Sequence, residues 1–138
     1  MDAAKIVSKI SKEHGIIKNV YFLACGGSLV DLYPGYYFVR AESAVMDAQW
    51  IPAREFALTP PKKLGKDSLL IICSHSGKTK ECLEAAKVGI NAGAAVVTMT
   101  HAPGSPCDCE EWISVVYDWA PGVKEAQKPQ GIVLGILN

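Results

Sequence analysis

The stretch Ser68-Leu69-Leu70-Ile71-Ile72-Cys73 leaves the chain few folds to choose from. It is apolar without alternation, as in a strand covered on both faces, and such strands belong to parallel sheets flanked by helices. A helix is expected over 81–92, where Leu83, Ala86 and Ile90 recur at helical spacing and Gly93 supplies a stop. Between strand and helix stand three hydroxyls, Ser74, Ser76 and Thr79, with Gly77 to let the backbone turn. A helix N-terminus offers unpaired N–H groups and the positive end of the helix dipole, so anions settle there. The hydroxyls add donors at little steric cost, and the natural ligand is a phosphate.

Two other readings of this loop bear on that conclusion. Serine and threonine ordinarily cap helices, which alone accounts for these residue types. Gly77-Lys78-Thr79 also ends like a nucleotide P-loop, but that pattern needs a glycine five residues earlier, where Ile72 stands. The nucleotide reading fails.

The pattern Ser-x-Ser-Gly-x-Thr at 74–79, set between a buried strand and a helix, resembles the phosphosugar loop of SIS (sugar isomerase) domains. Upstream, Val20-Tyr21-Phe22-Leu23-Ala24-Cys25-Gly26-Gly27-Ser28 is similar to that family's first strand and its Ala-Cys-Gly-x-Ser turn. Two matches in the expected order are more specific than either alone. Ala53-Arg54-Glu55-Phe56 and Thr59-Pro60-Pro61 also resemble the SIS lobe of fructosamine-6-phosphate deglycases and glucosamine-6-phosphate synthase. The resemblance covers residues 17–137. It implies a flavodoxin-like, three-layer α/β sandwich on a parallel sheet of about five strands. It also implies a sugar-phosphate ligand of the hexose 6-phosphate class. Ser28, Ser74, Ser76 and Thr79 match the family's phosphate-binding hydroxyls, with Gly26, Gly27 and Gly77 shaping the two turns.

Composition narrows the function classes. At 138 residues there is room for one domain with a single core. Lys plus Arg and Asp plus Glu both number 14, so no charged field recommends nucleic acid or an anionic membrane as partner. No apolar run has the length of a membrane-spanning helix, and the N-terminus lacks a signal-peptide pattern. The five cysteines are an odd number, and Cys25 and Cys73 fall in or beside apolar strands, which reads as free thiols in a reducing cytoplasm. Cys107-Asp108-Cys109 is too tight for the usual metal pair and has no second pair, so no metal is expected. Nothing calls for a cofactor.

In chain order, residues 2–14 read as a helix with Ile6 and Ile10 on one face, and 18–25 as the first strand. The helix after Ser28 carries Leu29, Leu32, Tyr33, Tyr36 and Tyr37 as an expected core stripe. Pro34 either stands in its first turn or kinks it. A second strand is expected over 44–49, a short helix over 52–57 and a polar loop over 59–67. In that loop Lys62, Lys63 and Lys66 either steer phosphate or, more simply, face solvent. Strands over 94–100 and 113–117 follow, with Ser105-Pro106 between them as an N-cap and first helical residue.

Strands alternating with helices put ligands beyond the strands' carboxyl ends, where the turn at 26–28 and the loop at 74–79 can converge on one phosphate. Chemistry next to a sugar carbonyl or imine needs a general base, and Glu55, His75, Glu81 and Glu84 are the local candidates, Glu55 and His75 foremost. The resemblance implies that the catalytic acid–base residues lie mainly on a second SIS lobe, so this single SIS domain is expected to be one lobe of a two-lobe protein. Residues 130–138 are strongly apolar and resemble the start of the family's closing helix, with Ile136 and Leu137 needing cover from further chain or a second copy. A homodimer or higher oligomer is expected. The functional expectation is a sugar-phosphate deglycase or ketose–aldose isomerase. The alternatives are a non-catalytic phosphosugar sensor and the isomerase lobe of a glucosamine-6-phosphate synthase-like aminotransferase.

Overall fold

The computed structural model describes residues 2–118 and 136–137. Helix α1 (Ala3–His14) begins at Asp2, whose carboxylate accepts the Lys5 N–H at 2.9 Å, and ends at Gly15; Ile6 and Ile10 are its buried face. Strand β1 (Asn19–Ala24) is followed by the short α2 (Gly27–Asp31) and by α3 (Tyr33–Glu42). Next come β2 (Asp47–Pro52), α4 (Ala53–Leu58), β3 (Ser68–Cys73), α5 (Lys80–Asn91), β4 (Ala95–Thr100) and β5 (Ile113–Val116).

All strand pairs are parallel, and the sheet order is β2-β1-β3-β4-β5. The central strands β1, β3 and β4 are buried along their whole length, as their unbroken apolar runs require. Successive residues feed opposite cores. Val20, Phe22, Leu69 and Ile71 pack with Ile6, Leu32 and Val39 on one side. Tyr21, Leu23, Leu70 and Ile72 pack with Phe56, Cys82, Ala85 and Ala86 on the other. The result is the expected three-layer α/β sandwich.

Local boundaries depart from the sequence reading where a side chain or a neighbour decides them. β2 begins at Asp47 rather than residue 44, because Ser43 Oγ accepts the N–H groups of Val45 (3.3 Å) and Met46 (2.9 Å) and folds them into a turn. The helix after Ser28 is two helices, and Pro34 stands in the first turn of α3, where its missing N–H costs nothing. Only part of the expected core stripe is core. Leu32 is fully buried, whereas Tyr33 is 42% and Tyr37 59% exposed, because α3 packs chiefly on the edge strand β2. On α5 the buried face is Cys82, Ala85, Ala86 and Gly89, leaving Ile90 exposed and Leu83 half-buried.

No helix follows Ser105-Pro106; residues 101–112 run as turns. The lysines of 59–67 precede β3 and so lie at the amino rim of the sheet, with Lys63 paired to Asp47 at 3.2 Å. The solvated-connector reading holds for them. At the other end of the chain, Ile136 and Leu137 are helical, and Ile136 is buried in the core that α1 covers. The chain's own core therefore covers Ile136, and the rest of the expected closing helix lies outside the described residues. Among the described residues no helix is long and apolar enough to cross a membrane.

Candidate functional site

From β1 the chain crosses to β2 on one side, and from β3 to β4 on the other. Adjacent strands whose connections leave in opposite directions open a crevice at their carboxyl ends. Ala24 pairs with Cys73, so the turn at Gly26–Ser28 and the loop at Ser74–Thr79 leave the sheet side by side at that crevice. Gly26 (φ 57°) and Gly77 (φ 67°) both hold the left-handed backbone that favours glycine.

The β3 loop is a closed hydroxyl turn. Gly77 N–H donates to the Ser74 carbonyl at 3.0 Å, Ser74 Oγ and Thr79 Oγ1 share a hydrogen bond of 2.8 Å, and Ser76 Oγ accepts the Lys78 N–H at 3.3 Å. Thr79 is the N-cap residue of α5 by position, yet its side chain makes no capping bond. The capping reading therefore does not describe Thr79. Its hydroxyl is turned on Ser74, and the first N–H groups of a twelve-residue helix lack a side-chain cap.

The end of β4 and the segment after it brace this loop from behind. Thr100 Oγ1 donates to the His75 carbonyl (3.1 Å), His101 N–H to the same carbonyl (3.2 Å) and Cys107 N–H to the Gly77 carbonyl (3.0 Å). Thr98 Oγ1 and Trp112 Nε1 in turn both donate to the Cys107 carbonyl, at 2.7 and 3.0 Å. Gly77 is required here sterically as well as by its φ, because a Cβ would overlap the Ser105 side chain and stand 2.8 Å from Thr100 Oγ1.

His75 turns toward β5. Its Nδ1 shares a 2.9 Å hydrogen bond with Tyr117 Oη, and its ring stacks on His101 with centroids 5.1 Å apart and planes 15° apart. His101 Nδ1 donates to the Tyr117 carbonyl at 3.1 Å. The sequence reading missed His101 and Tyr117. Each follows a strand directly, and only the sheet order brings them beside residue 75. The hydroxyls of Ser28 and Tyr117 both act on the buried Cys73 thiol at the carboxyl end of β3, and each favours its ionised form. Burial, and next the charge of Asp31, outweigh that pull and push the thiol up to about 12, which keeps it protonated. Burial likewise raises Cys25, Cys82 and Cys107, and all five cysteines are free.

The carboxylate candidates are spread out. Glu55 is exposed on α4, Glu84 is exposed and 3.7 Å from Lys80, and Glu81 is half-buried in the first turn of α5, where its charge helps to raise Cys25. Of the candidate bases, His75 alone lies in the hydroxyl loop. Among the described residues no group of three metal-ligating side chains occurs.

A parallel, doubly wound sheet with a hydroxyl-lined turn at its switch point defines the class, an α/β domain whose crevice is the place for a ligand. No family model matches the chain. It is 36% identical over 121 residues to the fructosamine deglycase FrlB of Bacillus subtilis, across 88% of this chain and 37% of that one. It is 32% identical over 113 residues to a glutamine–fructose-6-phosphate aminotransferase of Clostridium tetani, across 81% of this chain and 18% of the relative. Its fold superposes with TM-score 0.89 and 34% identity on a candidate phosphosugar isomerase of Salmonella typhimurium, across 98% of this chain and 41% of that one. These likenesses place the chain with the sugar isomerase (SIS) domains. It spans well under half the length of each of these relatives.

Proposed function

We propose that this chain is the phosphate-holding lobe of a sugar-phosphate deglycase or isomerase, similar in type to fructosamine deglycase. Its ligand is a hexose 6-phosphate or an amine adduct of one. The observation that carries the reading is the Ser74–Thr79 hydroxyl pair, which leaves the head of α5 without a side-chain cap, at the crevice between β1 and β3. Ser28, Ser74, Ser76 and Thr79 donate to the phosphate, and Gly26, Gly27 and Gly77 let the backbone approach it. Neutral donors suffice, because hydrogen bonds to a charged, desolvated acceptor are the strong ones. His75, oriented by Tyr117, is the side chain of this lobe best placed to exchange a proton with the sugar. The remaining acid–base chemistry belongs to a second lobe, a reading supported by the greater length of the relatives. The protein works in the cytoplasm, where its thiols stay reduced, and pairs with a further copy.

Calorimetric titration of the chain with fructose 6-phosphate, fructose and ATP tests this. Saturable binding of the sugar phosphate alone is expected. Equal binding of fructose, or preference for ATP, overturns it.

A further inference from the structure

Ser105 caps no helix, and its hydroxyl needs another account. The residue is 7% exposed, and among the described residues its Oγ has no hydrogen-bond partner. It is pressed against Gly77, where it fills the space that a side chain at 77 would take. Its neighbours hold it there. Asp108 accepts the Gly104 N–H and the Ser114 hydroxyl, both at 2.8 Å, and Cys107 N–H is fastened to the Gly77 carbonyl at 3.0 Å. Thr100, the other hydroxyl against Gly77, already donates to the His75 carbonyl and accepts the Ala102 N–H. Ser105 is thus a buried hydroxyl, unlike Thr100 unpaired, presented to the underside of the hydroxyl loop by a segment tied to that loop.

Packing does not require this arrangement. An alanine would fill nearly the same space without burying an unpaired polar group, which destabilises a fold. We propose that Ser105 is a further ligand-binding residue of the loop, donating its hydroxyl proton to an oxygen of the bound phosphate. Gly77 has no side chain, so its backbone alone lies against the hydroxyl, and a small shift of its peptide opens the way to the bound phosphate. The inference rests on the phosphosugar reading above and adds a donor that comes from the turns after β4 rather than from those after β1 or β3.

The test is titration of Ser105→Ala with fructose 6-phosphate beside Ser76→Ala, with melting temperatures recorded for each. Ser105→Ala is expected to bind about tenfold or more weakly, as for loss of a hydrogen bond to a charged group. It is also expected to melt at or above the temperature of the parent. If Ser105→Ala does not fold, Ser105→Cys keeps the shape with a weaker donor and is expected to lose affinity in the same direction. Unchanged affinity in the folded Ser105 variant, with a loss in Ser76→Ala, overturns this inference and leaves the hydroxyl loop standing. Unchanged affinity in both overturns the phosphosugar reading as well.

Discussion

The turns after β1 and β3 open onto the same crevice, yet they are built differently. The β3 loop is fastened along its length to the segment behind it, at His75 by Thr100 and His101 and at Gly77 by Cys107. The β1 turn is open. Gly26 and Gly27 are exposed, and a Cβ at either would meet nothing within 4 Å. The difference separates two tasks that glycine performs. At Gly26 it supplies a backbone angle, whereas at Gly77 it supplies the angle and the space together. A braced loop keeps its donors in place with little reorganisation, while an open turn leaves room for a ligand to approach the backbone.

The sharpest way to break this comparison is to add one methyl group on each side. Gly77→Ala is expected to abolish fructose 6-phosphate binding and to destabilise by about 2–4 kcal/mol, from the left-handed backbone and the overlap with Ser105. Gly26→Ala carries the backbone term alone, about 1–2 kcal/mol, and is expected to weaken binding less. Chemical denaturation and calorimetry read both. Adding Ser105→Gly to Gly77→Ala relieves the overlap and should recover part of the lost stability, whereas simple additivity would mean that the two residues do not press on each other.

A smaller effect concerns the seam between the turns. The Cys73 thiol is held at about 12 in the fold, above the usual value near 9 that it regains on unfolding. Below about pH 9 its contribution to stability is complete. Between pH 9 and 12 the unfolded thiol ionises while the folded one does not, so stability is lost as pH rises. The melting temperature of Cys73→Ala should therefore fall less steeply across that window than the parent's, and parallel slopes would contradict the buried, protonated thiol.

The sheet was legible in the chain because its central strands are buried on both faces and carry runs that no helix period explains. Val20–Ala24 and Ser68–Cys73 are of this kind. The edge was harder to read. β2 is mostly exposed, so no burial pattern marks where it begins, and the Ser43 hydroxyl moves its start to Asp47. The tyrosines of α3 recur at helical spacing, but Tyr33 packs edge-on against Trp50 of β2, with centroids 5.2 Å apart, rather than in the core. The hydroxyl loop could be found because its parts are contiguous. His101, Tyr117 and Ser105 could not, since only the order β3-β4-β5 brings them to it.

The central claim is that the β1 turn and the β3 loop form one phosphate site. The most direct measurement follows the backbone amide resonances of the ¹⁵N-labelled chain during titration with fructose 6-phosphate. Gly27, Ser28 and Ser76 through Lys80 are expected to shift together along one saturation curve, while Lys62, Lys63 and Lys66 at the opposite rim stay still. Shifts confined to one of the two turns, or two turns titrating with different midpoints, would contradict a single shared site.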